Sequence, residues 1–106
     1  MLVRELVQLV GEAETRDLLC GFRDELVELT KVIPTLGPCE LGAQAQRLMG
    51  TASAFGFGSV SAAAGAVDKT LRSSGDAAAA AIALRAAAES ALSELDSETI
   101  ERWLAA

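Results

Sequence analysis

The chain has 106 residues, a length that predicts one folded domain with its own core and does not favour a second. Apolar residues make up 51% of it, only 4% are aromatic and tyrosine is absent, which favours close-packed helices over a sheet. The formal net charge of −6 argues against a nucleic-acid surface.

Several kinds of site are excluded by residue type. The chain contains no histidine, so it lacks the commonest general base and metal ligand, and phosphohistidine chemistry is excluded. Cys20 and Cys39 are too few for a zinc framework, and we expect reduced thiols in a cytoplasmic protein, with a single disulfide as the alternative. Arg4 and Glu5 interrupt the apolar opening run, so we interpret it as neither a signal peptide nor a membrane span.

The first half of the chain predicts three helices. Residues 2–10 predict a short helix with two apolar stripes, which consist of Leu2, Leu6 and Leu9 and of Val3, Val7 and Val10. Residues 14–33 predict a long helix, whose apolar spacing alternates three and four: Leu19, Phe22, Leu26, Leu29 and Ile33. Pro34 and Pro38 end it. A third helix starts near Cys39, ends before Gly56, and has the same spacing at Leu41, Ala45, Leu48, Ala52 and Phe55.

The second half predicts two further helices and a helical tail. A fourth helix, which we expect Ser59 and Ser61 to cap, has Val60, Ala64, Val67 and Leu71 on one stripe. Residues 73–76 break it, and Asp76 is a good N-cap for a fifth helix, whose stripe consists of Leu84, Ala88, Ala91 and Leu95. Asp96 and Ser97 cap a short tail helix with Ile100, Trp103 and Leu104 on one face, which we expect to fold back onto the other helices.

These segments predict one all-α domain over residues 1–106. No segment alternates apolar and polar residues for long, and hairpin dipeptides such as Asn-Gly are absent, so no strand is expected. Four amphipathic helices joined by short loops predict an antiparallel up-down four-helix bundle. The short N-terminal helix would act as a lid on one end, and residues 97–106 would add a short C-terminal helix.

The third helix carries an unusual sector beside its core stripe. At about 100° per residue, this sector lies roughly 80° to 180° from the core direction and is predicted to face outward. It carries no charge and consists of Gly42, Gln46, Met49, Gly50 and Ser53. A glycine inside a helix costs about 1 kcal/mol relative to alanine, so Gly50 needs a compensating reason. Either a neighbouring helix crosses closely there, or a partner's surface does, and the outward direction favours the partner.

The segment from Ala45 to Gly56 resembles the signature of histidine-containing phosphotransfer (HPt) domains, whose third helix carries a phosphorylatable histidine. The matching positions are Leu48, Gly50, Ala52, Phe55 and Gly56, where the family has its leucine, glycine, small residue, aromatic residue and final glycine. The helix layout is also similar, with a short lead helix that ends at Gly11 and a fourth helix that breaks at Gly75 and Asp76.

Two departures from the HPt pattern bear on function. Gln46 occupies the position of the phosphoacceptor histidine, and an amide cannot form the phosphoramidate, so the relay chemistry should be absent. Met49 occupies the position of a lysine, which removes a positive charge that would help to hold a phosphoryl group and the acidic pocket of a receiver domain. The docking surface around Gly50 is retained.

The resemblance implies a non-enzymatic, phosphotransfer-like (pseudo-HPt) module of two-component signal transduction. It would bind a receiver domain of a response regulator or hybrid histidine kinase without relaying phosphate, as a monomer or weak dimer with no cofactor, metal, nucleic acid or membrane. The contact would be centred on Gln46, Met49, Gly50 and Ser53, with Gly42 at its edge. The alternatives are an HPt relay protein whose histidine was deliberately replaced by glutamine, a structural or dimerisation bundle anchored by Trp103 and Leu104, and an enzyme with a site of its own.

Overall fold

The structure, a computed structural model, describes residues 2–73 and 75–105. Over these residues the chain forms six α-helices, one 3₁₀ turn and no β-strand, which confirms the all-α prediction. The elements are α1 (Leu2–Val10), α2 (Glu12–Val32), the 3₁₀ turn (Ile33–Thr35), α3 (Pro38–Ala54), α4 (Gly58–Arg72), α5 (Ala78–Glu94) and α6 (Ser97–Ala105). In this part of the chain, no helix combines the length and the apolar character needed to cross a membrane.

The six helices pack together around one core. The most extensive contact joins α3 to α4, followed by α4 to α5 and α5 to α2. The short helix α1 lies against α2 and α6, and α6 also contacts α2. Each helix therefore contacts at least one other helix, and none projects alone from the domain.

The apolar stripes of the four longer helices are confirmed as the core. All the predicted stripe residues of α2, α3 and α5, together with Ile33, Phe55 and Leu95 just beyond the helix ends, are at most 7% exposed. In α4 the stripe is buried at Val60, Ala64 and Val67, while Leu71 at its end is half-buried. The repeated spacing of three and four residues is thus sufficient to identify the buried faces.

The stripe predicted for α1 is partly wrong. Leu6 and Val7 pack against the core, but Leu9 is 79% exposed and Val10 is 46% exposed. The side chains of Leu2 and Val3 lie outside the described residues. α1 contacts α2 and α6, and neither helix covers Leu9 and Val10 at its C-terminal end.

The helix boundaries differ from prediction by one or two residues for local reasons. Gly11 has φ 90°, a conformation that favours glycine, and α2 starts directly after it at Glu12 rather than at Glu14. α2 ends at Val32, and the backbone tightens into the 3₁₀ turn before Leu36. Pro38 is the first residue of α3, a position where the missing N–H costs nothing. Of the predicted break at residues 73–76, Ser74 lies outside the described residues.

The turn between α3 and α4 is closed by glycine and aromatic residues. Gly56 has φ 82°, and the N–H of Phe57 donates to the carbonyl of Ala52 at 2.8 Å, which together form a Schellman cap at the end of α3. The ring of Phe57 lies 5.5 Å from that of Phe22 and 6.4 Å from that of Trp103. Phe57 therefore links the turn to α2 and α6.

The start of α4 corrects one prediction. The helix begins at Gly58, and no side chain caps it, so Ser59 and Ser61 do not have the capping role expected of them. Ser61 Oγ instead donates to the carbonyl of Met49 at 3.2 Å. The hydroxyl thus joins α4 to α3.

The tail folds back onto the domain, as predicted. Ile100 is 2% exposed and Leu104 is 6% exposed, and Trp103 packs against the core. Asp96 caps α6, because its Oδ1 accepts from the N–H of Thr99 at 2.7 Å; the side chain of Ser97 lies outside the described residues. Cys20 and Cys39 are free, as expected.

A bidentate ion pair fastens α6 to α2. Arg16 Nε donates to Glu101 Oε1 at 2.6 Å, and Arg16 Nη2 donates to Glu101 Oε2 at 2.9 Å. These hydrogen bonds lower the pKa of Glu101 below its ordinary value of 4.5. The pKa of Asp96 is also lowered, by the backbone N–H of Thr99. Both carboxylates hold the tail helix in their charged form.

We expect docking of α6 to weaken in acid. A carboxylate whose pKa is lowered by folding stabilises the folded state above its unfolded pKa, and this contribution is lost as the pH falls through the folded value. The stability loss between about pH 7 and pH 3.5 should therefore be larger in the wild type than in Glu101→Gln, which lacks the titrating group. Urea midpoints followed by Trp103 fluorescence measure it, with exposed Glu94→Gln as control. Equal acid losses in the wild type and Glu101→Gln would contradict the role of Glu101.

Candidate functional site

The predicted outward sector of α3 divides into two parts in the structure. Gln46, Gly50 and Ser53 are exposed, as predicted. Gly42 and Met49 are half-buried and face α4, so the outward direction is wrong for these two. They lie nearest to the core stripe, at the edge along which α4 approaches.

The close approach of α4 accounts for the small residue at Gly42 and brings Met49 against Gly65. A Cβ on Gly42 would lie 3.3 Å from Leu71 Cδ1, and a Cβ on Gly65 would lie 3.3 Å from Met49 Sδ. Both separations are tighter than ordinary van der Waals contact. Gly42 and Gly65 thus leave room for side chains from the opposite helix, and the small size of Gly42 has a reason within the chain.

Gly50 has no such reason among the described residues. A Cβ at this position would meet no atom within 4 Å beyond its own local helix, so no neighbouring helix crosses there. Of the two explanations for this glycine, the close internal crossing is excluded for the part of the chain that the structure describes. The surface above Gly50 is open to solvent.

Open space alone does not distinguish Gly50, because Gly21 in α2 is equally open. The two glycines differ in their surroundings. Gly21 lies one turn from the exposed carboxylates of Asp17 and Asp24, whereas Gly50 lies one turn from Gln46 and Ser53. The charged neighbour of Gly50 is Arg47, three residues earlier, so the two glycines have neighbours of opposite charge.

Gln46 is held by a carboxylate from α4. Its Nε2 donates to Asp68 Oδ1 at 3.2 Å, and Arg72 Nε donates to Asp68 Oδ2 at 2.8 Å. The Asp68 side chain is 18% exposed, and that of Arg72 is 69% exposed. Asp68 therefore lies between an amide and a guanidinium and fixes the orientation of Gln46 on the open face.

Three side chains of this region were missed from the sequence. Asp68 and Arg72 are spaced for a pair on one helix, but the spacing does not show that Asp68 reaches across to Gln46. Arg47, exposed on α3, donates to Gln44 Oε1 at 3.2 Å and lies beside Gly50 on the side away from Gln46. Arg47 lies outside the predicted sector, which covers only the part of α3 on the Gln46 side of Gly50.

The side chains on this face offer hydrogen-bonding groups. The amide of Gln46 can donate and accept hydrogen bonds, but it is not a nucleophile. Among the described residues, no group of three or more histidine, cysteine, aspartate or glutamate side chains could hold a metal ion. What the face offers is an open glycine, an oriented amide and two arginines.

Comparison with known proteins finds no relative: no protein-family model, no curated protein and no solved structure matches the chain.

Proposed function

We propose that the protein is a phosphotransfer-like module that binds a receiver domain of a response regulator or hybrid histidine kinase without relaying phosphate. In this proposal α2, α3, α4 and α5 form an antiparallel up-down four-helix bundle and α1 acts as a lid. The contacts of α3 with α4 and of α4 with α5 join helices that are neighbours in sequence, and the contact of α5 with α2 joins the last of the four helices to the first, an arrangement that supports the bundle.

The observation that carries the proposal is the open surface over Gly50. A helix-interior glycine with no internal contact is destabilising by about 1 kcal/mol, and a docked partner would gain from the close approach that it permits. Gln46, in the position of the histidine, is exposed on the same face and is oriented by Asp68. A partner that covers Gly50 would contact the amide as well.

The charges near Gly50 also suit an acidic partner. Arg47 and Arg72 flank the face, although the whole chain has a net charge of −6. Arg47, one turn from Gly50, partly offsets the loss of the lysine at Met49, whereas the charge of Arg72 is paired with Asp68. Long-range attraction of this kind is weakened by salt.

The direct test is a calorimetric titration of the wild-type protein against purified receiver domains, each with and without a phosphoryl mimic. We expect saturable binding to at least one receiver, weakened by added salt. Absence of binding to every receiver encoded by the source organism would contradict the proposal.

A gain-of-function variant tests the chemical part. We expect Gln46→His to accept labelled phosphoryl groups from a phosphorylated receiver, because the imidazole supplies the missing nucleophile. The wild type should remain unlabelled. Gln44→His is the matched control, since it places the same side chain two residues away on the same helix and should gain no label.

The dimerisation alternative expects Trp103 and Leu104 to anchor a second copy, but both pack within the chain. Leu104 is buried and Trp103 packs on Phe57, so the side chains predicted to join a second copy are used within the chain. A dimer would therefore need a different surface.

A further inference from the structure

An open cleft lies at the end of the domain away from the turn between α3 and α4. Its volume is about 730 Å³, within the range of roughly 300 to 1,000 Å³ typical of small-molecule sites. The walls come from the 3₁₀ turn, the start of α3, the end of α4 and the first half of α5. Leu41 in its wall is nine residues from Gly50, about 13 Å along the helix axis, so the cleft is distinct from the centre of the proposed docking face, although Gly42 at the edge of that face adjoins it.

The lining is mostly aliphatic. The large apolar side chains that contribute are those of Ile33, Pro34, Leu36, Leu41, Leu71 and Ile82. Ile82 is 70% exposed, and its neighbour one turn earlier, Ala78, is also exposed. An apolar ligand in the cleft would remove part of this surface from water, which is the main source of affinity for such sites.

One end of the cleft carries a positive charge. Arg85 is the cationic side chain among the described lining residues, and its Nε lies 3.3 Å from Glu89 Oε1. A guanidinium has five N–H donors, so this single pair leaves donors for a second carboxylate. Asp76, the acidic lining residue, has Oδ1 occupied by the N–H of Ala78 at 2.9 Å.

Arg85 is the lining group with N–H donors left over for the polar end of a ligand. The nearby carboxylates of Asp76 and Glu89 and the net charge of −6 disfavour a multiply charged anion such as a nucleotide. A single carboxylate suits the donors that the pair with Glu89 leaves open. We propose that the cleft binds a medium-chain aliphatic carboxylate, with its alkyl tail against Ile33, Leu41 and Ile82 and its carboxylate on Arg85.

Sodium decanoate, below its micellar concentration, is the probe for the test, and 1-decanol is the neutral comparison. Calorimetric titration of the whole protein should show saturable decanoate binding that is about tenfold tighter than decanol binding. Arg85→Gln should remove this preference and leave decanol binding unchanged. The side chain exchanged in this variant is half exposed, so the fold should persist.

A blocking variant tests the location. Ala78→Trp places a large ring in the cleft from an exposed position and should weaken decanoate binding about tenfold or more. Ala83→Trp is the matched control, because Ala83 is exposed on the same helix and does not line the cleft. Circular dichroism checks that both variants remain helical.

Several results would overturn the proposal. These are the absence of saturable decanoate binding, equal affinity for decanoate and decanol, and undiminished binding by Ala78→Trp. A wild-type dimer in sedimentation that Ala78→Trp converts to monomer would show that a second copy of the chain covers the cleft, and would also overturn it. None of these outcomes depends on whether the face around Gly50 binds a receiver.

Discussion

Phe22→Ala is expected to lower the free energy of unfolding by about 3 to 5 kcal/mol, the range measured for large-to-small changes at buried aromatic positions. Phe22 is 2% exposed, and its ring stacks on Phe55 with centroids 5.1 Å apart. It also contacts the ring of Phe57. The substitution therefore removes buried area and two aromatic pairs, each worth roughly 0.5 to 1.5 kcal/mol beyond area.

Urea denaturation followed by circular dichroism measures this effect. The control is Leu18→Ala in the same helix, because Leu18 is 41% exposed and should cost about 1 kcal/mol or less. Since Phe22 joins α2 to the end of α3 and to the following turn, Trp103 fluorescence should report the same midpoint if unfolding is two-state. A loss below about 1 kcal/mol for Phe22→Ala would contradict the importance of this aromatic cluster.

Gly50→Arg is expected to abolish receiver binding while the fold is retained. The side chain would project from the open surface into the space that the proposed partner occupies, and no internal atom lies within 4 Å of the new Cβ. We expect a loss of affinity of at least about a hundredfold, or roughly 3 kcal/mol. The helix itself should become more stable by up to about 1 kcal/mol, because arginine is a better helix former than glycine.

Gly21→Arg provides an unusually close control for this variant. Gly21 is also exposed, lies inside a helix and has no atom within 4 Å of its Cβ position. The two variants carry the same charge change and the same gain in helix propensity, so they differ in location and in the neighbouring charges, which are acidic at Gly21 and basic at Gly50. Equal receiver affinity of Gly50→Arg and the wild type, or equal losses in both variants, would place the contact elsewhere.

The sequence was a good guide to which face of each long helix is buried. The spacing of three and four residues predicted the burial of Leu19 and Leu26 in α2 and of Leu84 in α5, since periodicity within one helix is sufficient to define its apolar side. It failed at Leu9, because the spacing within α1 does not show which of its residues α2 and α6 cover.

The candidate site was harder to predict, because it depends on contacts between helices. The direction of Gly50 followed from helical geometry alone. The half-burial of Gly42 and Met49 did not, because it depends on how closely α4 approaches, which is set by Gly65 on the other helix. The hydrogen bond from Gln46 to Asp68 likewise joins residues 22 positions apart, and no local pattern encodes that pairing.

The contact of Met49 with Gly65 has a consequence for how this sequence can change over time. The thioether fills the space that a side chain at position 65 would need, so the two positions share one volume. A side chain at position 65 requires the Met49 thioether to move by a few tenths of an ångström, so the effects of substitutions at the two positions on stability are not additive. The identity of residue 49 is therefore tied to its place against α4 as well as to the face that it borders.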